Sequence, residues 1–248
     1  MSTVNTPPSF IVDNFVAPVC NDVVLILYQD ADILLIDKPS GLLSLSAKNP
    51  LNWDSVHHRL LHGQEGVSPA FPDAKLPHRL DFGTSGIMVV GLNAQSTRHL
   101  NKQFEKGTIQ KHYLAMLEGW LTKDEGEITA SIAKDRSLFP RVKICELTGK
   151  LAISEYTVVE RLEQPRRTLV QYRPITGRTH QLRIHSLVID HPILGCDLYQ
   201  SEGSEQQANR LLLHASDLYF THPRTGETFH GQCPCPLDKW RSNRVENS

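Results

Sequence analysis

The chain has 248 residues, with 26 Lys+Arg against 27 Asp+Glu, a formal net charge of -1 and 40% hydrophobic residues. That length can bury a sizeable core in one large or two small domains, and the composition excludes a disordered chain and a coiled-coil rod. Five cysteines, an odd number, argue against a disulfide scaffold and for a reducing compartment.

Residues 1–22 read as a lead-in. Their start, MSTVNTPPSFIVDNFVAP, has neither a basic opening nor a long apolar run, so it does not read as a secretory signal. The longest apolar stretches, ILLI and IMVVGL, are strand-sized and too short for a bilayer, which points to a cytoplasmic protein without a membrane partner. VVLILY (23–28) and ILLI (33–36) are branched runs of strand length separated by the polar turn QDAD. Pro39-Ser40-Gly41 interrupts them, and LLSLS resumes regular structure beyond. Asp54 is placed to cap a short helix over SVHHRLLH, with Val56, Leu60 and Leu61 on one side. Gly63 to Lys75 reads as a loop.

Ile87 to Leu92 reads as a buried strand approached through Gly83 and Gly86, and Ala94 to Phe104 as a helix stopped near Gly107. Residues 111–118 alternate, with Tyr113, Ala115 and Leu117 on one face and His112, Leu114 and Met116 on the other. Gly126 and Thr148-Gly149 mark turns. ISEYTVVERL and TLVQYRP read as neighbouring strands around Gln164-Pro165. Thr179 is placed to cap a helix that shares Leu182, His185 and Ile189 on one side. LLLHASDLYF is a further strand, followed by a hairpin-like turn at HPRTGE. Strands outnumber helices and no early glycine-rich strand-to-helix turn occurs, which disfavours a doubly wound sheet. SEGSEQQ (201–207) is too short and too late for an interdomain linker. One mixed domain over residues 23–240, with a tail at 241–248, is the simplest organisation.

Metal and nucleotide motifs give no lead. Cys233 and Cys235 in CPCP are closer than a usual zinc pair, and His57-His58 diverge on any regular element. Cys20 and Cys145 have apolar neighbours and read as packing residues. GTSG (83–86) lacks the ending of a P-loop. ITGRTH (175–180) is either a turn with a helix cap or a set of backbone N–H groups able to hold a phosphate of a polymer.

Neutrality first weighs against a nucleic-acid partner, but charge is sorted along the chain. Residues 161–183 hold six arginines against one acid, 98–111 four basic residues against one acid, and 134–150 five against two. Three such runs favour a polyanion. Among the acids, Asp81 stands out, because it sits between His78-Arg79-Leu80 and a Gly-Thr-Ser-Gly approach to a buried strand. It is either a turn-capping aspartate or a carboxylate nucleophile or base, held ionised by an arginine such as Arg183.

HRLDFGTSG (78–86) resembles the signature of the RluA family of RNA pseudouridine synthases. The other family blocks follow in order: YQDADILLIDKPSGLL, QKHYLAML, RPITGRTHQLRIH, HPILG and LLLHA. The likeness runs from about residue 24 to residue 236. It implies an α+β fold, with a mixed, predominantly antiparallel sheet flanked by helices and loops. It also implies formation of pseudouridine in RNA by a monomer that needs neither cofactor nor metal. The short lead-in leaves no room for an S4-type N-terminal domain. The chain thus looks most like the small members that act on both 23S ribosomal RNA and the anticodon stem-loop of transfer RNA.

By the same resemblance, Asp81 is the catalytic aspartate, Tyr113 the ring that stacks on the target base and helps move the C5 proton, and Arg183 the partner of the carboxylate. Arg79 matches a residue that takes the flipped base's place in the stack. His78, Thr84, Ser85 and Gly86 shape the loop bearing Asp81. His78 and Arg178 belong with the RNA-facing residues, and Leu212 or Leu213 lines the base pocket. One departure is visible. The family reads HPILGD, whereas here Cys196 takes the Asp position and Asp197 comes one later, which shifts a supporting contact. A non-catalytic RNA-binding module on the same fold would be expected to have lost one of Asp81, Tyr113 and Arg183. A nucleoside hydrolase would be expected to show two close carboxylates.

Overall fold

A computed structural model describes residues 15–138, 140–199 and 207–241; most of the lead-in, the tail and SEGSEQ fall outside them. Ten strands form one sheet among these residues: β1 (Leu25–Gln29), β2 (Ile33–Lys38), β3 (Ser85–Gly91), β4 (Gln110–Glu118), β5 (Glu125–Lys134), β6 (Val142–Ile144), β7 (Lys150–Glu163), β8 (Arg166–Pro174), β9 (Leu213–Thr221) and β10 (Thr228–Gln232). Their order is β1-β2-β3-β9-β4-β8-β7-β5-β6, with β10 paired to β9. Every pairing is antiparallel except β3 with β9. The expected α+β architecture with a predominantly antiparallel sheet is what forms. No helix among the described residues is long and apolar enough to cross a membrane.

Four α-helices among the described residues flank the sheet: α1 (Val56–His62), α2 (Ala94–Lys106), α3 (Gln181–Val188) and α4 (Leu237–Arg241). α2 forms where the apolar spacing predicts it. Asn93 caps it through Ser96 N, and Gly107 closes it in the left-handed conformation, giving its N–H to the carbonyls of Gln103 and Phe104. One core joins β1–β3 to α1 and α2, around Leu34, Leu60, Met88 and Leu100. A second packs α3 on β4, β5, β7 and β8, around Leu117, Tyr172 and Ile184. Alternation on β4 holds: Ala115 and Leu117 face the second core, while Met116 joins a third cluster with Leu169, Leu194 and Trp240.

Several local expectations shift by a residue or fail. The cap of α1 is Ser55, whose hydroxyl accepts from His58 N, because Asp54 is engaged by Arg59 at 2.7 Å. The cap position of α3 is His180, not Thr179, and its side chain makes no cap bond. LLSLS forms no strand; Leu43 makes only an isolated bridge to Ser55. Gly126 is no turn but lies inside β5, where a Cβ would come within 2.8 Å of the Tyr156 ring. Cys145 is half-buried, its Sγ 3.2 Å from Thr148 Oγ1, and these contacts lower its thiol pKa, so it is not a core residue.

Candidate active site

A cleft of about 650 Å³ opens where β3, β9 and β4 meet. Four segments converge on it: His78–Asp81 ahead of β3, the end of α2, Lys111 and Tyr113 of β4, and the ITGRTH loop leading into α3. Five Lys and Arg side chains line it (Arg79, Lys106, Lys111, Arg178, Arg183) against two acids, Asp81 and Glu105. A neutral protein thus carries a basic cleft. Only part of the sequence's basic runs reaches it. Arg161 pairs with Asp124 and Arg173 with Glu155. Arg166 lies over the Trp120 ring and Arg167 is buried; none of these four arginines lines the cleft.

The loop bearing Asp81 is held carbonyl by carbonyl. Ser44 Oγ donates to Leu80 O, Thr84 N to Asp81 O, Gly41 N to Phe82 O and Ser40 Oγ to Gly83 O, at 2.7 to 3.1 Å. The Lys38 ammonium donates to Thr84 O at 2.7 Å, Phe82 O at 3.2 Å and Pro39 O at 2.8 Å. Five consecutive carbonyls are therefore satisfied, and the loop has no slack. Lys38 is fully buried, and burial lowers its pKa to about 7 against the opposing pull of Asp81. Behind the loop, Ser85 Oγ meets His214 Nδ1 at 2.8 Å and receives Arg210 Nη2. Gly86 sits at φ +113°, where a Cβ would be 2.2 Å from Ala215 O; only glycine lets β3 pass β9 this closely.

Asp81 projects into the cleft with 22% of its side chain exposed. Tyr113 and Leu213 line the cleft with it, from β4 and β9. Burial and then the Asp81 charge raise the Tyr113 pKa, so the ring is an uncharged phenol at neutral pH. Leu212 does not share this pocket; it packs in the third cluster with Met116 and Trp240, because successive residues alternate in direction.

Arg183 lines the cleft but does not bond Asp81. Its guanidinium donates to Asp197 and, at 3.2 and 3.3 Å, to Cys196 Sγ, and lies 5.2 Å over the Tyr199 ring. Burial opposes the charge, yet Cys196, Asp197 and, more weakly, Asp81 hold its pKa above the ordinary value. The arginine thus pairs with Asp197 instead of the expected Asp81. The basic side chain nearest Asp81 is His180, with Nε2 4.0 Å from Oδ1.

The remaining candidates divide. Arg79 is exposed at the cleft. Arg178 is exposed too, its Nε donating to Leu151 O and its backbone N–H taken by Gln181 Oε1, so that N–H is not available to a phosphate. His78 is turned inward. Its Nε2 accepts from Val89 N at 3.0 Å, its ring stacks on Phe104, and burial followed by Lys111 lowers its pKa to about 3. It is a neutral strut of the loop, not an RNA-facing cation.

Sequence reasoning passed over Lys38, His180 and Tyr199, and took Lys111 only as a member of the basic run 98–111. A lysine closing an apolar strand was the available signal for Lys38, since an isolated charge there needs buried partners. Together the cleft offers two carboxylates, Asp81 and Glu105, an uncharged phenol, an apolar wall and a ring of cations. That suits attack by a carboxylate on a planar base's sugar within a polyanion.

The profile of the RNA pseudouridylate synthase family matches residues 32–187. The "Dual-specificity RNA pseudouridine synthase RluA" of Yersinia pestis is 42% identical over 210 residues, covering 85% of this chain and 98% of that protein. The protein of that name from Escherichia coli K12 is 40% identical over 211 residues, covering 85% and 93%. Among solved structures, Human RNA Pseudouridylate Synthase Domain Containing 1 superposes with a TM-score of 0.72 at 25% identity, over 91% of this chain and 89% of that one. With the family profile spanning more than half of its length and relatives this similar across most of it, the chain belongs to the RNA pseudouridylate synthase family.

Proposed function

We propose that this enzyme isomerises specific uridines in 23S ribosomal RNA and in the anticodon stem-loop of transfer RNA. It does so as a cytoplasmic monomer with a single catalytic domain over residues 23–240. The single observation that carries the reading is the convergence of Asp81, Tyr113 and Leu213 in a cleft lined by five cations; the two bacterial relatives are dual-specificity RNA enzymes by name, and the two RNA classes follow from the resemblance of the sequence blocks.

Asp81 attacks C1′ of the flipped uridine; an O–C1′ bond forms, the N1–C1′ bond breaks, and its electron pair leaves with the uracil. After the uracil turns, C5 attacks C1′ and displaces the carboxylate; the C5 proton departs, relayed by the uncharged Tyr113 hydroxyl, and N1 takes up a proton in its place. Atoms and electrons balance within one nucleotide, so the reaction calls for neither cofactor nor metal. Tyr113 and Leu213 sandwich the base. Arg183, tethered by Asp197 and Cys196, is a fixed cation in the cleft. Unstacking the target costs a few kcal/mol, and Arg79 at the rim offsets part of it by filling the vacated place. RNA shape and loop bases set the site.

The test is to treat unmodified 23S ribosomal RNA and unmodified transfer RNA with the protein and to map carbodiimide-induced stops by primer extension. New stops in both classes are expected. Stops in one class alone would refute dual specificity, and stops in neither would overturn the assignment of these RNAs.

A further inference from the structure

We infer that His180 is a positioning residue for Asp81, locked by Tyr199 so that its Nε2–H faces the carboxylate; this rests on the reading of Asp81 as the nucleophile. Three observations support it. Tyr199 OH accepts from Val142 N at 2.7 Å and lies 2.8 Å from His180 Nδ1. If the phenol gives its proton to Nδ1, that nitrogen accepts, and we assign the contact in this sense. The imidazole proton is left on Nε2. Nε2 stands 4.0 Å from Asp81 Oδ1, and a carboxylate can only accept, so its charge favours the same tautomer on the far side of the ring.

The backbone gives the third observation. His180 holds φ +52°, one of two non-glycine residues with positive φ among those described, and its side chain makes no cap bond to α3. A histidine here costs backbone strain and gains nothing for the helix, as expected where a side chain is kept for its function. The groups facing the ring are Asp81, Arg183, Asp197 and Arg79, besides Tyr199. Burial, reinforced by the arginines, outweighs the aspartates and lowers its pKa, so the ring is a neutral donor at neutral pH. At 4.0 Å the pair is open, and closure by about 1 Å onto the bound RNA would make the hydrogen bond, since catalytic contacts are often loose before substrate binds. One carboxylate oxygen is then held by His180 and the other is left for C1′.

The experiment pairs two variants of similar size and equal backbone cost. His180→Leu removes the donor, and His180→Gln returns an N–H at the reach of Nε2. Single-turnover rates on substrate RNA should fall roughly 10- to 100-fold for His180→Leu, with RNA affinity within about twofold, and His180→Gln should recover most of the loss. Nitrogen NMR of histidine-labelled protein, with His180 assigned by its disappearance in the Gln variant, should show the Nε2–H tautomer. Equal rates for the Leu and Gln variants, or an Nδ1–H tautomer, would overturn the inference. Asp81→Asn is run beside them: an active Asp81→Asn refutes the nucleophile reading, whereas an inactive Asp81→Asn with wild-type His180→Leu refutes only the positioning role.

Discussion

Replacing Lys38 by methionine tests how the loop bearing Asp81 is held. The ammonium is buried and donates to three carbonyls, two of them within that loop. Methionine keeps the stem's packing and orphans those acceptors, each worth about 1 kcal/mol or more. Against this stands the desolvation of the charge. Lowering the pKa from 10.5 to about 7 corresponds to about 5 kcal/mol at 1.36 kcal/mol per pH unit. The two effects nearly offset at neutral pH, so Lys38→Met should unfold in urea within about 2 kcal/mol of wild type.

The pH dependence separates them. The folded pKa is depressed, so between pH 7 and 10.5 the unfolded chain binds more protons than the folded one. Wild-type stability should therefore rise relative to Lys38→Met as pH increases from 7, by about 3 kcal/mol by pH 9.5. Below pH 7 the difference should be flat. Paired urea titrations measure this directly, because other titrating groups cancel between the two proteins. Turnover by the variant should drop at least about tenfold, since the loop loses its clamp. A stability difference independent of pH from 6 to 9.5 would refute a buried, strongly desolvated ammonium.

Three further outcomes are expected. Gly86→Ala should lose about 3 kcal/mol or more in chemical denaturation, because its Cβ would collide with Ala215 O at a left-handed φ; a loss below about 0.5 kcal/mol would contradict the close strand passage. Burial lowers His185 to about 4, and neither of its ring nitrogens has a hydrogen-bond partner. Its folded pKa lies below the unfolded value, so stability should fall as pH drops from about 6.5 toward 4, by about 3 kcal/mol from this residue. His185→Leu should remove that part of the acid sensitivity in thermal melts. RNA affinity should fall steeply with salt, and Arg178→Ala or Lys106→Ala should each reduce the log–log slope by roughly one; unchanged slopes would remove these cations from the RNA path.

What was legible in the sequence were features carried by short-range pattern. Strand alternation around Tyr113, the apolar run of β3 and the helix ending at Gly107 all form as the spacing implies. The prominence of Asp81 within HRLDFGTSG likewise translates into a carboxylate at the cleft. Features decided by tertiary competition were not legible. Asp54 is as good a cap as Ser55 until Arg59 claims it, and Gly126 looks like a turn until the Tyr156 ring explains it. Arg183 pairs with Asp197 and not with Asp81, and spacing along the chain does not determine which carboxylate an arginine reaches. Four of the cations in the basic runs (Lys106, Lys111, Arg178 and Arg183) reach the cleft because α2, β4 and the loop into α3 are brought together there; Arg161 and Arg173, equally basic, meet acids first.

The central claim is that Asp81 drives exchange of the N1–C1′ bond for a C5–C1′ bond. Forming the new bond expels the hydrogen from C5, so RNA carrying tritium at uridine C5 reports it directly. Wild-type protein should release tritium to water from target RNA without added metal or nucleotide. Asp81→Asn should bind that RNA with affinity within about twofold of wild type and release none above background. Release by Asp81→Asn at a rate near wild type would contradict the account.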